Sequence, residues 1–528
     1  LSRYTVITFA PVQGFIEKSR KLRDLYGASL LLSYLSQKLV SHIETSEGLT
    51  IISPGMPTIQ KGMPNRILIQ GELSQNTAEA ILLNAWKEVL RVCRTWIEKK
   101  IPDQYHWERE WSLWGNHTWE VFRGSGDDIT AAMDDLETCK LSRAWTAVNW
   151  IGESSSLTGT DAIAFPGLGA ETQNPKYLNY ASEKEEIKKF YSTLAKITEQ
   201  GSDTPEGKFI APNEKLSIPE LVKRLVTWYE ISKQINIPAL ENFTEIQRKP
   251  QPTEDISGQW TGWFMGDGDR VGKHLKQLAR KPNGEQEIQS FSLAMRDWGK
   301  NFERNFPKDL GRVVYAGGDD FLGTIYSRNP VEPIPPIKAY EWLMTLNDQW
   351  QQHQQKITVS VGFVWVAGSV PQRDVLQHCR EAEKVAKSLD RNRVTIRVVF
   401  NSGQYVQWTC PWDYLDILQK YRDRNGNTFA EWKKSSDDST KYPNWSHIYQ
   451  DLAQLESRRA FENTSIKFPV NFFDIYFRGE AQTLLNSQKR KHILGFREDK
   501  DPDEEIQATV DWISNLVKVG WQLCSNTK

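Results

Sequence analysis

The run Trp260-Thr261-Gly262-Trp263-Phe264-Met265-Gly266-Asp267-Gly268-Asp269 decides the fold. An apolar, β-prone stretch, Trp260 to Met265, ends in alternating glycines and acids. A second stretch does the same: Arg312 to Ala316 leads into Gly317-Gly318-Asp319-Asp320. Between Asp267 and Asp319 there is room for one long helix and a returning strand, which brings three or four carboxylates to neighbouring strand ends. Carboxylates gathered there repel one another unless a divalent cation sits between them. A pair of Mg²⁺ or Mn²⁺ ions held this way is the machinery of nucleotidyl transfer.

Around these motifs, strand-like runs fall at 260–265, 312–316, 321–327, 357–366 and 394–400, with Val359, Val361, Phe363 and Trp365 alternating in the fourth. Helix-like stretches lie at 271–305, 338–354 and 371–389. The first six elements run β-α-β-β-α-β, the split βαβ or ferredoxin-like order, with Gly317–Asp320 as the hairpin turn. A fainter copy opens the chain. Tyr4–Phe9 reads as a strand, Val12–Val40 as a long helix, Thr50–Ser53 and Arg66–Ile69 as strands, Glu72–Lys100 as a helix and Thr118–Phe122 as the closing strand. Its first turn, Ala10-Pro11-Val12-Gln13-Gly14, carries no acid, and neither does its hairpin region, Ile52–Asn65. The expected fold class is therefore α+β, with two ferredoxin-like palms, one charged for chemistry and one degenerate. The expected regions are 1–125 (degenerate palm), 126–255 (mixed, helical linker), 256–405 (catalytic palm) and 406–528 (helical). Polar loops at 153–156 and 200–208 mark the linker region; a hydrophilic loop at 432–443 and an acidic run at 498–505 mark the last.

A chain of 528 residues exceeds a single ordinary core. A net charge of −1 gives no global pull toward nucleic acid or anionic membrane, so any RNA contact must come from local patches or partner subunits. Cys93, Cys139, Cys379, Cys410 and Cys524 form no Cys-x-x-Cys, which argues for a reducing compartment. No apolar run approaches the ~20 residues that span a bilayer, and the opening Leu1–Phe15 lacks the pattern of a secretory signal. A cytoplasmic location with no membrane partner is expected. The start at Leu1, without Met, reads as the mark of a processed or trimmed chain.

Other motifs are excluded by spacing. Gly266 and Gly272 are one residue too far apart for a Walker A loop, and His274 stands where Ser or Thr is needed. An EF-hand would need acids at Val271 and Leu278. Gly266-x-Gly268-x-x-x-Gly272 misses the dinucleotide fingerprint. Taken singly, each acidic motif is also an ordinary Gly/Asp turn; what points to chemistry is both of them inside one split βαβ unit. Asp267, Asp319 and Asp320 are the candidate catalytic and metal-binding residues. Gly268, Asp269, Arg270, Gly272 and Lys273 at the first helix start, with Gly317 and Gly318 in the hairpin, are candidate nucleotide ligands. Ser360 on the neighbouring strand and Lys387 on the following helix join them, against the alternative of a strand serine and a solvated lysine. The basic band from Lys18 to Arg23 and the run Lys489-Arg490-Lys491-His492 read as nucleic-acid contacts or as solvated helix faces. Many of the 21 Trp residues are expected as core or interface anchors.

The order of these blocks resembles the large, cyclase-palm subunit of type III CRISPR effector complexes, most closely the Cmr type. Ala10-Pro11-Val12-Gln13-Gly14-Phe15-Ile16, then Arg20-Lys21-Leu22-Arg23-Asp24-Leu25 and Ser33-Tyr34-Leu35, are similar to that family's opening strand and helix. Pro64-Asn65-Arg66, Glu214-Lys215-Leu216 and Val222-Lys223-Arg224-Leu225 resemble further family segments, and Asp267-Gly268-Asp269 with Gly317-Gly318-Asp319-Asp320 match its active-site motifs. The similarity spans roughly residues 4–400 in scattered blocks. Many family members begin with an HD nuclease; no His-Asp dipeptide occurs here, so DNA cleavage is not carried over. Where relatives hold zinc, this sequence reads Ser155-Ser156-Leu157-Thr158-Gly159-Thr160, and zinc is not carried over either.

The resemblance implies an RNA-activated synthase that joins ATP into cyclic oligoadenylate for antiviral defence, within a complex of CRISPR RNA, target RNA and smaller subunits. It implies two Mg²⁺ or Mn²⁺ ions on Asp267 and Asp319, with Asp320 assisting, and two facing palms, each carrying one ATP. Two alternatives stand beside it. One is a catalytically silent scaffold of the same complex that binds nucleotide and RNA; the other is a diguanylate-type cyclase, against which the hairpin reads Gly-Gly-Asp-Asp-Phe.

Overall fold

Val359–Val366 reads Val-Ser-Val-Gly-Phe-Val-Trp-Val and is buried at every position, as a strand must be when elements cover both of its faces. The computed structural model describes residues 3–55, 64–142, 148–150, 152–170, 174, 176–199, 207–238, 240, 246, 248, 259–328, 332–435, 441–462, 464–495 and 502–525. The chain divides into two compact units, one of residues 1–246, 272–299 and 314–318, the other of residues 247–271, 300–313 and 319–528. Residues 56–63 of the first hairpin region, 200–206 of the polar loop, 436–440 of the hydrophilic loop and 498–501 of the acidic run lie outside the described residues.

In the first unit, β1 (Tyr4–Ala10), β2 (Thr50–Ser53), β3 (Ile67–Gln70) and β4 (Glu120–Gly126) form one sheet in the order β2-β3-β1-β4. β1 runs antiparallel to both neighbours. This is the ferredoxin-like order expected of the opening copy. The long helix expected over Val12–Val40 is instead two, α1 (Val12–Glu17) and α2 (Leu22–Glu44). Asp24 makes the break: its carboxylate accepts the N–H groups of Arg20 and Lys21, both at 2.9 Å, and caps the second helix. α3 (Gln75–Lys100) is followed by α4 (Glu108–His117), a helix that the pattern did not suggest. Phe9, Phe15, Trp86 and Trp119 meet edge-on or tilted in the core between sheet and helices. The unit continues through α5 (Ile129–Leu141), α6 (Tyr180–Thr198), α7 (Ile218–Leu225) and α8 (Tyr229–Gln234). The single helix expected over 271–305 is also two, α9 (Val271–Ala279) and α10 (Gly284–Asn305), separated at Pro282, which has no N–H to continue a helix.

The basic band on the first helices is neither a solvated face nor an open polyanion site. Lys18 pairs with Asp161 at 2.9 Å and Lys21 with Glu214 at 3.3 Å. Arg23 stacks over Phe209, its carbon 4.8 Å from the ring centre. Arg224, fully buried, donates to both oxygens of Asp24 at 2.7 and 2.8 Å and to Glu214 at 2.5 Å. Of the band's cations, Arg20 is left exposed.

In the second sheet, β5 (Thr261–Gly268), β6 (Gly311–Ala316), β7 (Asp320–Ile325), β8 (Val359–Val366), β9 (Arg393–Val399) and β10 (Tyr405–Pro411) take the order β10-β9-β8-β5-β7-β6. The four strands β8-β5-β7-β6 repeat the order of the first sheet, so both palms have the expected topology. β9 adds to β8 in parallel and β10 to β9 in antiparallel fashion. β10 stands at the start of the region read as mostly helical, and helices follow it. Its second half, Trp408 to Pro411, is buried throughout, and it extends the sheet. α11 (Pro336–Gln351) and α12 (Gln372–Ser388) cover the sheet. Phe264 gathers Phe302, Phe306, Phe321 and Trp342 into one aromatic core. The chain then runs through α13 (Phe429–Lys434), α14 (Ser446–Ser457), α15 (Lys467–Tyr476), α16 (Ala481–Leu485), α17 (Ser487–Leu494) and α18 (Pro502–Leu523). Trp512 of α18 donates its indole N–H to the Thr409 carbonyl of β10 at 2.9 Å. Trp86, Trp107, Trp263, Trp350, Trp408 and Trp445 are all buried, in keeping with tryptophans as core anchors. Among the described residues no helix is long and apolar enough to cross a membrane.

Candidate active site

β5 lies between β7 and β8 and is antiparallel to both. Its register sets Asp267 opposite Asp320 on one side and opposite Ser360 on the other. The Gly268 N–H donates to the Asp319 carbonyl and the Asp269 N–H to the Thr358 carbonyl, each at 2.8 Å. Asp267, Asp269, Asp319 and Asp320 therefore meet at one end of the sheet. Gly268 makes the approach possible. A Cβ there would lie 2.9 Å from Val271 Cγ2 and 3.0 Å from Asp319 Cβ, so any larger residue would push the two acidic turns apart.

Carboxylates crowd this end. Burial, then repulsion from Asp319 and Asp267, push the Asp320 carboxyl up to about 7. Asp320 still exposes surface to solvent, so it is crowded at a rim rather than enclosed in a core. Burial also raises Asp267, against the opposing pull of Lys387. The Lys387 ammonium sits directly on Asp267 and pairs with Glu383 at 2.5 Å. Burial works to lower that ammonium's pKa, but attraction to Asp267 and then Glu383 outweighs it and the group is raised. A second glycine explains how the lysine arrives. A Cβ on Gly362 of β8 would be 2.2 Å from the Cys379 carbonyl oxygen, so the backbone of α12 rests directly on the strand.

Asp269 and Ser360 are placed differently from the other candidates. Asp269 is 6% exposed. Its carboxylate accepts from Thr358 Oγ1 and Ser360 Oγ, both at 2.7 Å, and from the Asn392 N–H at 3.0 Å. Ser360 is fully buried and its hydroxyl is directed at Asp269. Arg270 is exposed, adopts φ 58° and lies 4.0 Å from Asp390. Within the first unit, Gly272 and Lys273 stand exposed in the first turn of α9, and a Cβ on Gly272 would meet open space. Gly317 and Gly318 form the turn after β6, and Gly318 has φ 147°, where glycine is favoured. Sequence reasoning missed Glu383, Thr358 and Asn392. Glu383 carried a signal: an acid among Val375, Leu376, Cys379, Ala382 and Ala386, all of them buried, and one turn before a lysine.

Asp267, Asp319 and Asp320 fit a divalent cation in kind, as hard oxygen donors whose mutual repulsion a cation relieves. Among the described residues, no three His, Cys, Asp or Glu side chains are already drawn together tightly enough to hold a metal. The cation that neutralises Asp267 is the lysine ammonium.

Residues 261–395 match the family model of the Cas10/Cmr2 second palm domain, and residues 4–82 match that of the CRISPR-associated protein Cmr2 N-terminal region. No curated protein matches the sequence. Among solved structures, the chain is similar to a component of the type III-B Cmr-beta complex in its apo state, determined by cryo-electron microscopy. The identity is 11%, the TM-score is 0.54, and the match covers 98% of this chain and 82% of the other. It also matches a chain of the Csm1–Csm4 cassette in complex with one ATP, at 12% identity and a TM-score of 0.47, covering 99% of this chain and 70% of that one. At 11% identity the likeness to the Cmr-beta component concerns the fold. The two sequence matches, one to a Cas10/Cmr2 palm and one to the Cmr2 N-terminal region, fall in order on the two palms that the sheets reveal.

Proposed function

We propose that the chain is the large subunit of an RNA-guided type III CRISPR effector complex, and that the acidic end of its second sheet joins ATP into cyclic oligoadenylate with release of pyrophosphate. One observation carries this reading: the register sets Asp267 opposite Asp320, and the Gly268 N–H to Asp319 carbonyl bond brings Asp319 to the same strand end, so three carboxylates crowd where their repulsion invites a cation. Asp267 and Asp319, with Asp320 assisting, would hold Mg²⁺ or Mn²⁺. Bound there, such ions supply Lewis-acid polarisation of a phosphate and lower the pKa of an attacking 3′-hydroxyl. The chain's own residues position the rest. Lys387, already raised by two carboxylates, stays charged and suits a triphosphate's oxygens. Arg270 adds exposed positive charge. Asp269 and Ser360 support the strand ends from within and touch no substrate. Guide RNA, target RNA and smaller subunits are the proposed partners.

A silent scaffold is the second reading. It is favoured by the ammonium on Asp267 and by the lack, among the described residues, of a ready-made group of three ligands. One experiment separates the two. The complex assembled with guide and complementary target RNA is given ATP or GTP with Mg²⁺ or Mn²⁺, and products are weighed by mass spectrometry. Cyclic adenylate that falls about a thousandfold, ~4 kcal/mol of barrier, in Asp319→Asn/Asp320→Asn supports the synthase. Unchanged ATP in the unsubstituted complex establishes the scaffold.

A further inference from the structure

Three consecutive residues that are not glycine, Asp390, Arg391 and Asn392, have φ of 78°, 65° and 51°. Single left-handed residues of this kind are uncommon, and a run of three persists only where the surroundings fix it. Here the fixing groups can be named. From one side, the Asn392 N–H is bound by Asp269 Oδ2, the same oxygen that holds the Thr358 hydroxyl. From the other side, Arg393, 1% exposed, donates through Nε to the Arg391 carbonyl at 3.0 Å. Its Nη1 and Nη2 reach the carbonyls of Ile493 and His492, each at 3.2 Å, at the last turn of α17. Both carbonyls belong to the end of the helix, where intrahelical donors run out; that of His492 also accepts the Gly495 N–H at 3.3 Å. Gly495 completes the joint: with φ 77° it ends α17, and a Cβ there would be 2.2 Å from the Leu389 carbonyl oxygen and 2.7 Å from Arg393 Nη1.

We infer that Asp269 is a positioning residue: with Arg393 it clamps the left-handed turn Asp390–Asn392, and the clamped turn holds the end of β5 that carries Asp267. The inference rests on the proposed metal-dependent site and adds how that site is kept in place. The route is short. Asp267 and Asp269 are two residues apart on one strand end, Asp269 is fixed by Thr358, Ser360 and Asn392, and Asn392 precedes the first residue of β9. The carboxylate of Asp269 has no need of a cation, because hydroxyls and an amide already satisfy it. Its burial would also make metal ligation costly. The acids at this end thus divide by role. Asp267, Asp319 and Asp320 stand together at the rim of the strand ends, while Asp269 holds the frame beneath them. The device also makes the end of α17 part of the site's support, so the Lys489–His492 run bears on the chemistry through the His492 backbone carbonyl rather than through its charges.

Mn²⁺ binding, followed by electron paramagnetic resonance on the full chain with ATP present, tests the inference together with thermal unfolding. Asp269→Ala removes three acceptor contacts and is expected to weaken Mn²⁺ binding about tenfold or more, the usual cost of losing a group that supports a metal site. Asn392→Gly keeps the N–H and the fold of the turn but loosens the backbone. It is expected to weaken Mn²⁺ binding severalfold without lowering Tm, which a merely structural contact would not do. Should Asp269→Ala fail to fold, Asn392→Gly decides alone. Variants that bind Mn²⁺ as the unsubstituted chain does overturn the inference, and so does Asn392→Gly if Tm and affinity fall together. An unsubstituted chain that binds no Mn²⁺ overturns the metal site itself, a failure distinct from either, and the inference goes with it.

Discussion

The two units handle crowded carboxylates in opposite ways. In the first, Asp24 is held to about 2: burial alone would raise it, but the Arg224 guanidinium, bonded to both its oxygens, prevails. In the second, Asp320 rises to about 7, because burial and its acidic neighbours act together. The same contrast appears at the tips of the two sheets. At the end of β1, Asn65 closes the sheet with a neutral amide, donating to Thr8 Oγ1 at 3.1 Å and the Phe9 carbonyl at 3.2 Å. At the end of β5 stand Asp267 and, across the register, Asp320. A duplicated fold has thus been settled electrostatically in one copy and left unsettled in the other, and an unsettled charge at a strand end is what a cation-dependent site requires.

The comparison can be broken most forcefully on its settled side. Arg224→Met strips the charge from a group bonded to two buried carboxylates and should cost about 3–5 kcal/mol in denaturant unfolding. A loss below about 1 kcal/mol would mean that the first unit is not stabilised as described. Because Asp24 is depressed in the folded state, its contribution is whole above about pH 4 and disappears as pH falls toward 2. Arg224→Met should therefore blunt the acid limb of the unfolding curve. Next in size is Gly268→Ala, whose added methyl meets Val271 and Asp319. Overpacking of this kind costs about 1–3 kcal/mol, and by parting the two acidic turns it should lower nucleotide turnover more than it lowers Tm. The smallest effect sharpens the contrast. Asp320 is raised in the folded state, so its protonated form favours folding, and that stability is lost as pH climbs through about 7. Tm of the metal-free protein should fall with rising pH over that range. Asp320→Asn should flatten the dependence, and Mg²⁺ should restore Tm most at the alkaline end.

Much of this was legible because glycine and aspartate punctuate strands unambiguously. Trp260–Asp269 and Arg312–Asp320 foretold both strand ends and the hairpin, and the β-α-β-β-α-β order followed from spacing. What escaped was decided by tertiary contacts. Asp24 interrupts a continuous helical pattern because its carboxylate is worth more as a cap and as the partner of Arg224. The basic band looked like a surface because its acids, Asp161 and Glu214, are far away in sequence. Ser360 and Asp269 looked like ligands by position, yet they turn toward each other beneath the strand ends. The left-handed turn had no signal at all, since Asp-Arg-Asn holds no glycine, and only the contacts of Asp269 and Arg393 account for it.

The seating of α12 on Gly362 has a last consequence. Where a helix touches a strand main chain to main chain, no side chain lies between them to be compressed or swapped. The distance from Lys387 to Asp267 is then gauged by the polypeptide itself. The slack needed for the ammonium to leave the aspartate for an incoming anion must come from the four methylenes of the lysine alone, and at that position arginine, whose planar head cannot fold back in the same way, is a poor replacement.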